Sequence, residues 1–217
     1  MMLIAGTIPI KELPLTIATV MAEGEFLVIN GHHIPTTQGT GTMIGTALAT
    51  TNYLKLEPPQ VLVAGDTGRG KGSREIYEYL IQRIAELSPE VLALHYCLPD
   101  MALTSRLCQS VEGCSRRSVM IADAASMYAA KAAGLAAGFD IFTPDATELA
   151  FLADPDATHP AYITRHLFDI NITQTPKLVA DAYQNKNAAK LLLVKGAIDY
   201  VVRGGDILGY YQRTQCA

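Results

Sequence analysis

Two carboxylates three residues apart, Asp145 and Glu148, stand where the segment D-I-F-T-P-D-A-T-E-L leaves an apolar strand pattern at Thr143-Pro144 and enters a helical one. A strand end that meets a helix N-terminus offers free backbone N–H groups and the positive end of a dipole, the usual setting for phosphate in open α/β sheets. Carboxylates at such a corner suit a magnesium ion, which takes few protein oxygens and bridges to phosphate. The same two residues also fit an N-cap aspartate with a capping-box glutamate. Both readings stand at this point.

A second candidate lies upstream. The strand-like run V-L-V-A-G-D passes into T-G-R-G-K-G-S before an amphipathic helix, so that Gly65 to Lys71 spells G-x-x-x-x-G-K. A P-loop requires Ser or Thr directly after that lysine to reach magnesium. Gly72 stands there instead, and Ser73 comes one residue late. The alternative is a glycine-rich turn at Gly65, Asp66, Gly68 and Gly70 that lets a ligand approach the backbone. Asp123, at the end of S-V-M-I-A-D, fits a Walker-B-like carboxylate, a cleft residue or a plain helix cap. His32 and His33 have no third ligand at a metal-binding spacing.

These residues depend on a repeated apolar strand and amphipathic helix pattern. Strands are expected at Phe26–Asn30, Val61–Asp66, Val91–Tyr96, Ser118–Asp123 and Lys190–Gly196, and an antiparallel hairpin at Asp199–Arg203 and Ile207–Tyr211 around Gly204-Gly205. Helices are expected over Met43–Tyr53, after Ser73 with Ile76, Tyr77, Leu80, Ile81 and Ile84 on its apolar face, from Pro99-Asp100 onward, over Ser126–Ala137, and from a cap at Thr175-Pro176. Residues 1–25 are ambiguous, with Leu3-Ile4-Ala5 a possible strand and Leu15–Ala22 a possible helix. The stretch after Asn30, G-H-H-I-P-T-T-Q-G-T-G-T with His32 and His33 in it, reads as a loop that could cradle a ligand or be only a turn, as does D-P-D-A-T-H-P-A-Y. The alternation implies an α/β fold: a three-layer α/β/α sandwich with a mostly parallel central sheet and a C-terminal hairpin.

Composition narrows the class further. A chain of 217 residues, 49% hydrophobic and 18% charged, suits one sizeable domain, residues 1–217, with an adequate core. A net charge of -4 without a basic cluster argues against a nucleic-acid partner. No apolar run is long enough to span a bilayer, and the interrupted N-terminus lacks a basic leader. A cytoplasmic protein with no membrane partner is expected. Cys97, Cys108, Cys114 and Cys216 lack C-x-x-C spacing and read as free thiols. The alanine-rich helix near Tyr128 allows close packing and hence a homo-oligomer.

Four features now fall in one order: A-G-D-T-G-R-G after a strand, I-A-D-A at a strand end, T-P-D-A-T-E-L-A, and L-V-K-G before a hairpin. Together they resemble the ribokinase-like superfamily, and within it the carbohydrate-kinase-like branch that includes ATP- or ADP-dependent NAD(P)H-hydrate dehydratases. The similarity runs from about Phe26 to Tyr211. It implies a nucleotide-binding domain using ATP or ADP with Mg2+ on a small-molecule substrate, either as a dehydratase (a lyase) or as a sugar or vitamin kinase. It places Thr143, Asp145, Lys195 and Gly196 at the nucleotide phosphates and Asp145 and Glu148 at the metal. It places Gly65, Asp66, Gly68, Gly70 and Asp123 along the substrate cleft.

One departure stands out. The family follows the hairpin with G-x-G-D at a helix N-terminus, which supplies an anion hole and a catalytic aspartate, whereas this sequence reads Gln215-Cys216-Ala217 there. Gly39-Thr40-Gly41-Thr42 is similar but carries Thr42 in the aspartate's place. The resemblance therefore implies a C-terminally shortened member, its catalytic residue unassigned, with little turnover or a purely binding role.

Overall fold

The computed structural model describes residues 1–37, 39–157 and 174–212. The chain divides into two compact units, Met1–Met120 and Ile121–Ala217. In the first, strand β1 (Met2–Ile8) lies between β6 (Gln60–Gly65) and β7 (Val91–His95), parallel to both. Leu3, Ile4 and Ala5 are each at most 1% exposed, so successive side chains on opposite faces are all covered. The ambiguous N-terminal run is thus a central strand. The edge strand β2 (Thr16–Thr19) pairs antiparallel with β6. Helices α1 (Gly39–Tyr53) and α2 (Lys71–Leu87) pack on β1, and α3 (Met101–Glu112) packs on α2. Helix α2 buries Ile76, Tyr77, Leu80 and Ile84, the face its spacing predicts.

The second unit carries a parallel ladder of β8 (Val119–Ala122, which crosses the boundary), β9 (Ile141–Phe142) and β10 (Leu191–Val194). The expected hairpin follows as β11 (Ile198–Arg203) and β12 (Asp206–Gln212), antiparallel to each other and to β10. Gly204 and Gly205, at φ 61 and 96, supply its turn. Its helices are α4 (Ala125–Ala132), α5 (Ala146–Ala153) and α6 (Thr175–Gln184). The protein is therefore an α/β protein with mostly parallel strands and a C-terminal antiparallel hairpin.

Several boundaries differ from the sequence expectation. Phe26–Ile29 is not a strand of the parallel sheet but β4, the middle of a small antiparallel sheet with β3 (Met21–Glu23) and β5 (His32–Pro35). Asn30 and Gly31, both at positive φ, join β4 to β5 through the two-residue turn that Asn-Gly favours. Leu15–Ala22 forms strand rather than helix, in keeping with its β-branched Thr16, Ile17 and Thr19. His32 and His33 lie in β5, not in a loop, and neighbours on a strand point to opposite faces, so the two cannot clasp one ion. Helix α1 begins at Gly39, four residues before Met43. The helix expected over Ser126–Ala137 ends at Ala132, where Gly134 turns left-handed at φ 69, and a 3-10 turn takes Ala136–Gly138. Helix α6 includes Thr175, and Gln174 precedes it without a side-chain cap. Cys97, Cys108 and Cys114 are free thiols, with Cys97 fully buried and pushed up to about 12 by that burial. Cys216, the tail Gln215-Cys216-Ala217 and most of the loop after Asp154 lie outside the described residues. Among the described residues no helix is long and apolar enough to cross a membrane.

Gly6 is one of the tight points of the first unit. A Cβ there would stand 2.4 Å from the His95 carbonyl and 2.8 Å from Thr40 Cγ2. Gly6→Ala is expected to destabilise the protein by about 1–3 kcal/mol, the usual cost of overpacking. Urea denaturation reads it, and an unchanged midpoint would show that β1 and α1 can separate freely.

Candidate functional site

The first unit has a cavity of about 350 Å³ lined by Thr7, Gly39, Thr40, Asp66, Gly68 and Tyr96, with Pro9 and Leu98 as apolar walls. Thr7 lies near the end of β1, Asp66 directly after β6 and Tyr96 directly after β7. The cavity therefore sits at the carboxyl ends of three parallel strands, where ligands of open α/β sheets bind. Asp66 and Gly68 were expected to line a ligand cleft, and they line this cavity; Gly70 faces a smaller neighbouring pocket and Gly65 the other side of the turn. Asp123 belongs to the second unit. Thr7 and Tyr96 belong to no motif in the sequence, and Gly39 and Thr40 come from the G-x-G-T string near the N-terminus. The signal for Thr7 was its place at the end of a strand, had Leu3-Ile4-Ala5 been extended.

Asp66 organises this end of the unit. Its Oδ1 accepts from the backbone N–H groups of Gly68, Arg69 and Gly70 at 2.9–3.0 Å. Its Oδ2 accepts from the N–H and hydroxyl of Ser73 at 3.1 and 3.0 Å, and the Ser73 Oγ in turn accepts from the Leu98 N–H at 2.9 Å. Partial burial pushes the Asp66 carboxyl up, but the hydrogen bonds from Ser73, Gly70 and Arg69 outweigh it, and the net shift is downward. The amides that a P-loop would turn toward phosphate are thus engaged by the chain's own carboxylate. Lys71 points to solvent and pairs with Glu75 at 3.6 Å. Gly72 has its own reason: a Cβ there would meet the Gly65 carbonyl oxygen at 2.5 Å. The sequence element is a packed turn, not a phosphate cradle.

The second unit gathers the other candidates, again at parallel strand ends. Asp123 follows β8, Thr143 to Asp145 follow β9, and Lys195 follows β10. The Lys195 N–H donates to the Pro144 carbonyl at 2.8 Å, and a bridge from Asp145 to Lys195 extends the parallel pairing past the named strands. The Lys195 ammonium reaches Asp123 Oδ1 at 2.9 Å, and the Ala124 N–H donates to the same oxygen at 2.8 Å. Ala124 holds φ 51, an uncommon value for a residue with a side chain, in a turn that carries a charged pair. The Gly196 amide donates to Asp199 Oδ1 at 2.8 Å within the hairpin.

Asp145 and Glu148 form a complete capping box. Asp145 Oδ1 accepts from the Glu148 N–H and Glu148 Oε2 from the Asp145 N–H, both at 2.8 Å. Each carboxylate keeps one oxygen beyond that box. Burial pushes the Glu148 carboxyl up to about 7; the Asp145 N–H and Lys195 oppose the rise, and the Asp145 and Asp123 carboxylates add to it. Two carboxylates with spare oxygens, one of them short of counter-charge, fit a magnesium ion that completes its shell with water and phosphate. Among the described residues no three His, Cys, Asp or Glu side chains gather as a metal cage. At the other end of α5, Lys131 is buried and donates to the Phe151 and Asp154 carbonyls, its ammonium 4.2 Å from the Phe151 ring centre. Burial draws its pKa down to about 8. Helix α5 is thus fixed at both ends, and Lys131 carries no signal in the sequence because it sits inside an alanine run.

These features define an α/β protein with polar groups set at parallel strand ends in each unit. The chain belongs to the family of the uncharacterised protein MJ1337 of Methanocaldococcus jannaschii, with which it is 37% identical over 166 residues, 76% of this chain and 67% of the relative. No family model matches it. Among solved structures it is similar to phosphofructokinase-2 from Escherichia coli in complex with fructose-6-phosphate, at 14% identity and a TM-score of 0.44 over 98% of this chain and 78% of that one. It is similar also to the tetrameric inhibited form of that enzyme, at 13% identity and a TM-score of 0.42 over 96% and 79% of the two chains.

Two substitutions separate the roles argued above. Gly72→Ser completes the P-loop spelling, yet it is expected to lower stability by about 1–3 kcal/mol through overpacking and to add no nucleotide affinity; tighter ATP binding in calorimetry would restore the P-loop reading. Glu148→Gln keeps an oxygen for the capping box and removes the charge. Because the folded carboxyl titrates near 7 and the unfolded one near 4.5, the native state holds the extra proton in that window, and the wild type loses stability as pH rises through it. Glu148→Gln should therefore be more stable than wild type at pH 8 and closer to it at pH 5, while binding Mg2+ more weakly. Parallel melts at the two pH values check the first part, and a Mg2+ titration the second.

Proposed function

We propose that the chain is a nucleotide-dependent enzyme of the ribokinase-like, carbohydrate-kinase-like class, and specifically a small-molecule kinase. ATP or ADP with Mg2+ would bind at the second unit's corner, and the first unit's cavity would take a small hydroxylated substrate. The observation that carries this reading is the corner itself: consecutive parallel strand ends deliver Asp123, Asp145 and Lys195 to one place, with the Glu148 carboxyl, pushed up by burial, beside them. The order of the four sequence motifs supports it independently.

Asp145 and Glu148 would hold the metal through the oxygens beyond their capping box. The bound magnesium nucleotide supplies a transferable phosphoryl group and offsets the charge on it. Lys195 has three N–H donors, so it can keep Asp123 and still donate to a phosphate oxygen. Asp123 thereby positions the ammonium before the ligand arrives. The cavity favours a kinase over a dehydratase of hydrated NADH, since about 350 Å³ lies at the lower end of ligand-site volumes and suits a sugar-sized molecule.

Lys195→Ala is expected to weaken magnesium-ATP or magnesium-ADP binding by about 1.5–3 kcal/mol, the scale of one charge-assisted hydrogen bond. Lys71→Ala should leave it unchanged. Calorimetric titration of the three proteins gives the comparison, and equal affinity in wild type and Lys195→Ala would remove the corner from the nucleotide site. Turnover of hydrated NADH, with no transfer to any of a panel of small polyols, would replace the kinase reading with the dehydratase one.

A further inference from the structure

Beside the main cavity lies a smaller pocket of about 170 Å³ that shares Gly68 and Leu98 with it and is lined also by Arg69, Arg74, Tyr77 and Asp100. At about 30 Å³ per water, it holds only a handful of waters or one small polyatomic group. Both arginines are exposed, and among the described residues neither guanidinium has an acidic partner. The guanidinium of Arg74 is folded against the turn, for a Cβ on Gly70 would stand 2.8 Å from Arg74 Nη1. Asp100 is the one carboxylate lining the pocket, and its Oδ1 accepts from the Leu103 N–H at 2.9 Å as the cap of α3. The lining therefore carries net positive charge.

Stability alone does not explain this arrangement. Arg69 and Arg74 flank the start of α2, where the helix dipole disfavours cations, and the first turn of α2 has no acidic residue. The Asp66 carboxylate sits on the helix start, but it accepts only from backbone amides and the Ser73 hydroxyl, so among the described residues the two guanidinium groups remain without a paired carboxylate and a bound anion would supply one. The helix end itself is not the receptor, because the Gly68, Arg69, Gly70 and Ser73 amides already donate to Asp66. What remains is two guanidinium groups on the pocket's lining, each of a type that grips a phosphate or a carboxylate with a planar fork.

We infer that this pocket is an oxyanion site that receives the phosphate or carboxylate end of the molecule whose hydroxylated part occupies the neighbouring cavity. The inference rests on the proposed reading of that cavity as the substrate site. It narrows the substrate from any small hydroxylated compound to one that carries an anionic group.

The test is a 15N-resolved NMR titration of the full chain with glycerol, glycerate and glycerol 3-phosphate, repeated on Arg69→Gln/Arg74→Gln and on Arg74→Lys. The expected result is that at least one anion binds about tenfold or more tighter than glycerol, shifting the amides of residues 68–74, and that the double substitution removes that preference. Arg74→Lys, which keeps the charge without the fork, should retain part of it. Preference for glycerol 3-phosphate alone assigns a phosphate, and preference for glycerate alone a carboxylate. The double variant should melt no lower than wild type, since it removes cations from a helix start. Equal affinity for all three compounds, or anion binding that survives the double substitution, would overturn the inference. Magnesium-ATP affinity is measured on the same samples: its absence in wild type would count against the nucleotide reading, whereas its presence with no arginine-dependent anion binding would count against the oxyanion site alone.

Discussion

The first unit is built around one carboxylate that fills a nest of its own backbone. Asp66 ties the glycine turn to the first turn of α2 and, through Ser73, to the chain at Leu98 beyond β7. Two strand ends and a helix start are thereby held in one arrangement around the cavity. Because the net shift of Asp66 is downward, its contribution is fully present above the ordinary carboxylate pKa. It is lost as pH falls through the lower folded value. The cost of this solution is chemical: amides that satisfy Asp66 cannot also bind phosphate, which moves any nucleotide site elsewhere.

The second unit makes the opposite use of the same materials. There Asp145 and Glu148 are only partly engaged by their own capping box. Asp145 and Glu148 satisfy each other's backbone and retain an oxygen each, while burial and neighbouring charge keep Glu148 protonated to an unusually high pH. Lys131, at the far end of α5, takes up the carbonyls that the helix leaves open. A helix fixed at both ends can carry an electrostatic imbalance at one of them without fraying. A capping box and a cation site are therefore compatible here, and the capping bonds set the direction of the free oxygens.

How much of this was legible in the sequence depended on whether a feature is local. Helix α2 and the C-terminal hairpin were readable because a single period and a glycine boundary specify each of them. The small antiparallel sheet was also locally encoded, in Asn30-Gly31, but an apolar run between glycines looks the same whether its neighbours in space are parallel or antiparallel. The cavity was not legible. Thr7, Thr40, Asp66 and Tyr96 are far apart in sequence and meet only because β1 inserts between β6 and β7, a pairing that nothing in residues 1–8 announces. The Asp145 and Glu148 pair was ambiguous for a different reason: the residue types that cap a helix are those that bind magnesium, and a sequence does not show how many oxygens the cap leaves over.

That count also explains why a near-complete P-loop spelling misleads. The motif describes a loop whose amides are free, but amide availability depends on what else is near, and Asp66 follows the motif's first glycine. A carboxylate at that point competes with any phosphate for the same donors, and being covalently tethered it needs no translational entropy to bind. Gly72 completes the argument from packing, since the position where the motif requires a hydroxyl has no room for a Cβ against Gly65. Charge on the turn is then carried by side chains that lie outside the nest, Arg69 and Arg74, rather than by the backbone. The anion that such a turn can hold sits beside the helix start and not on it.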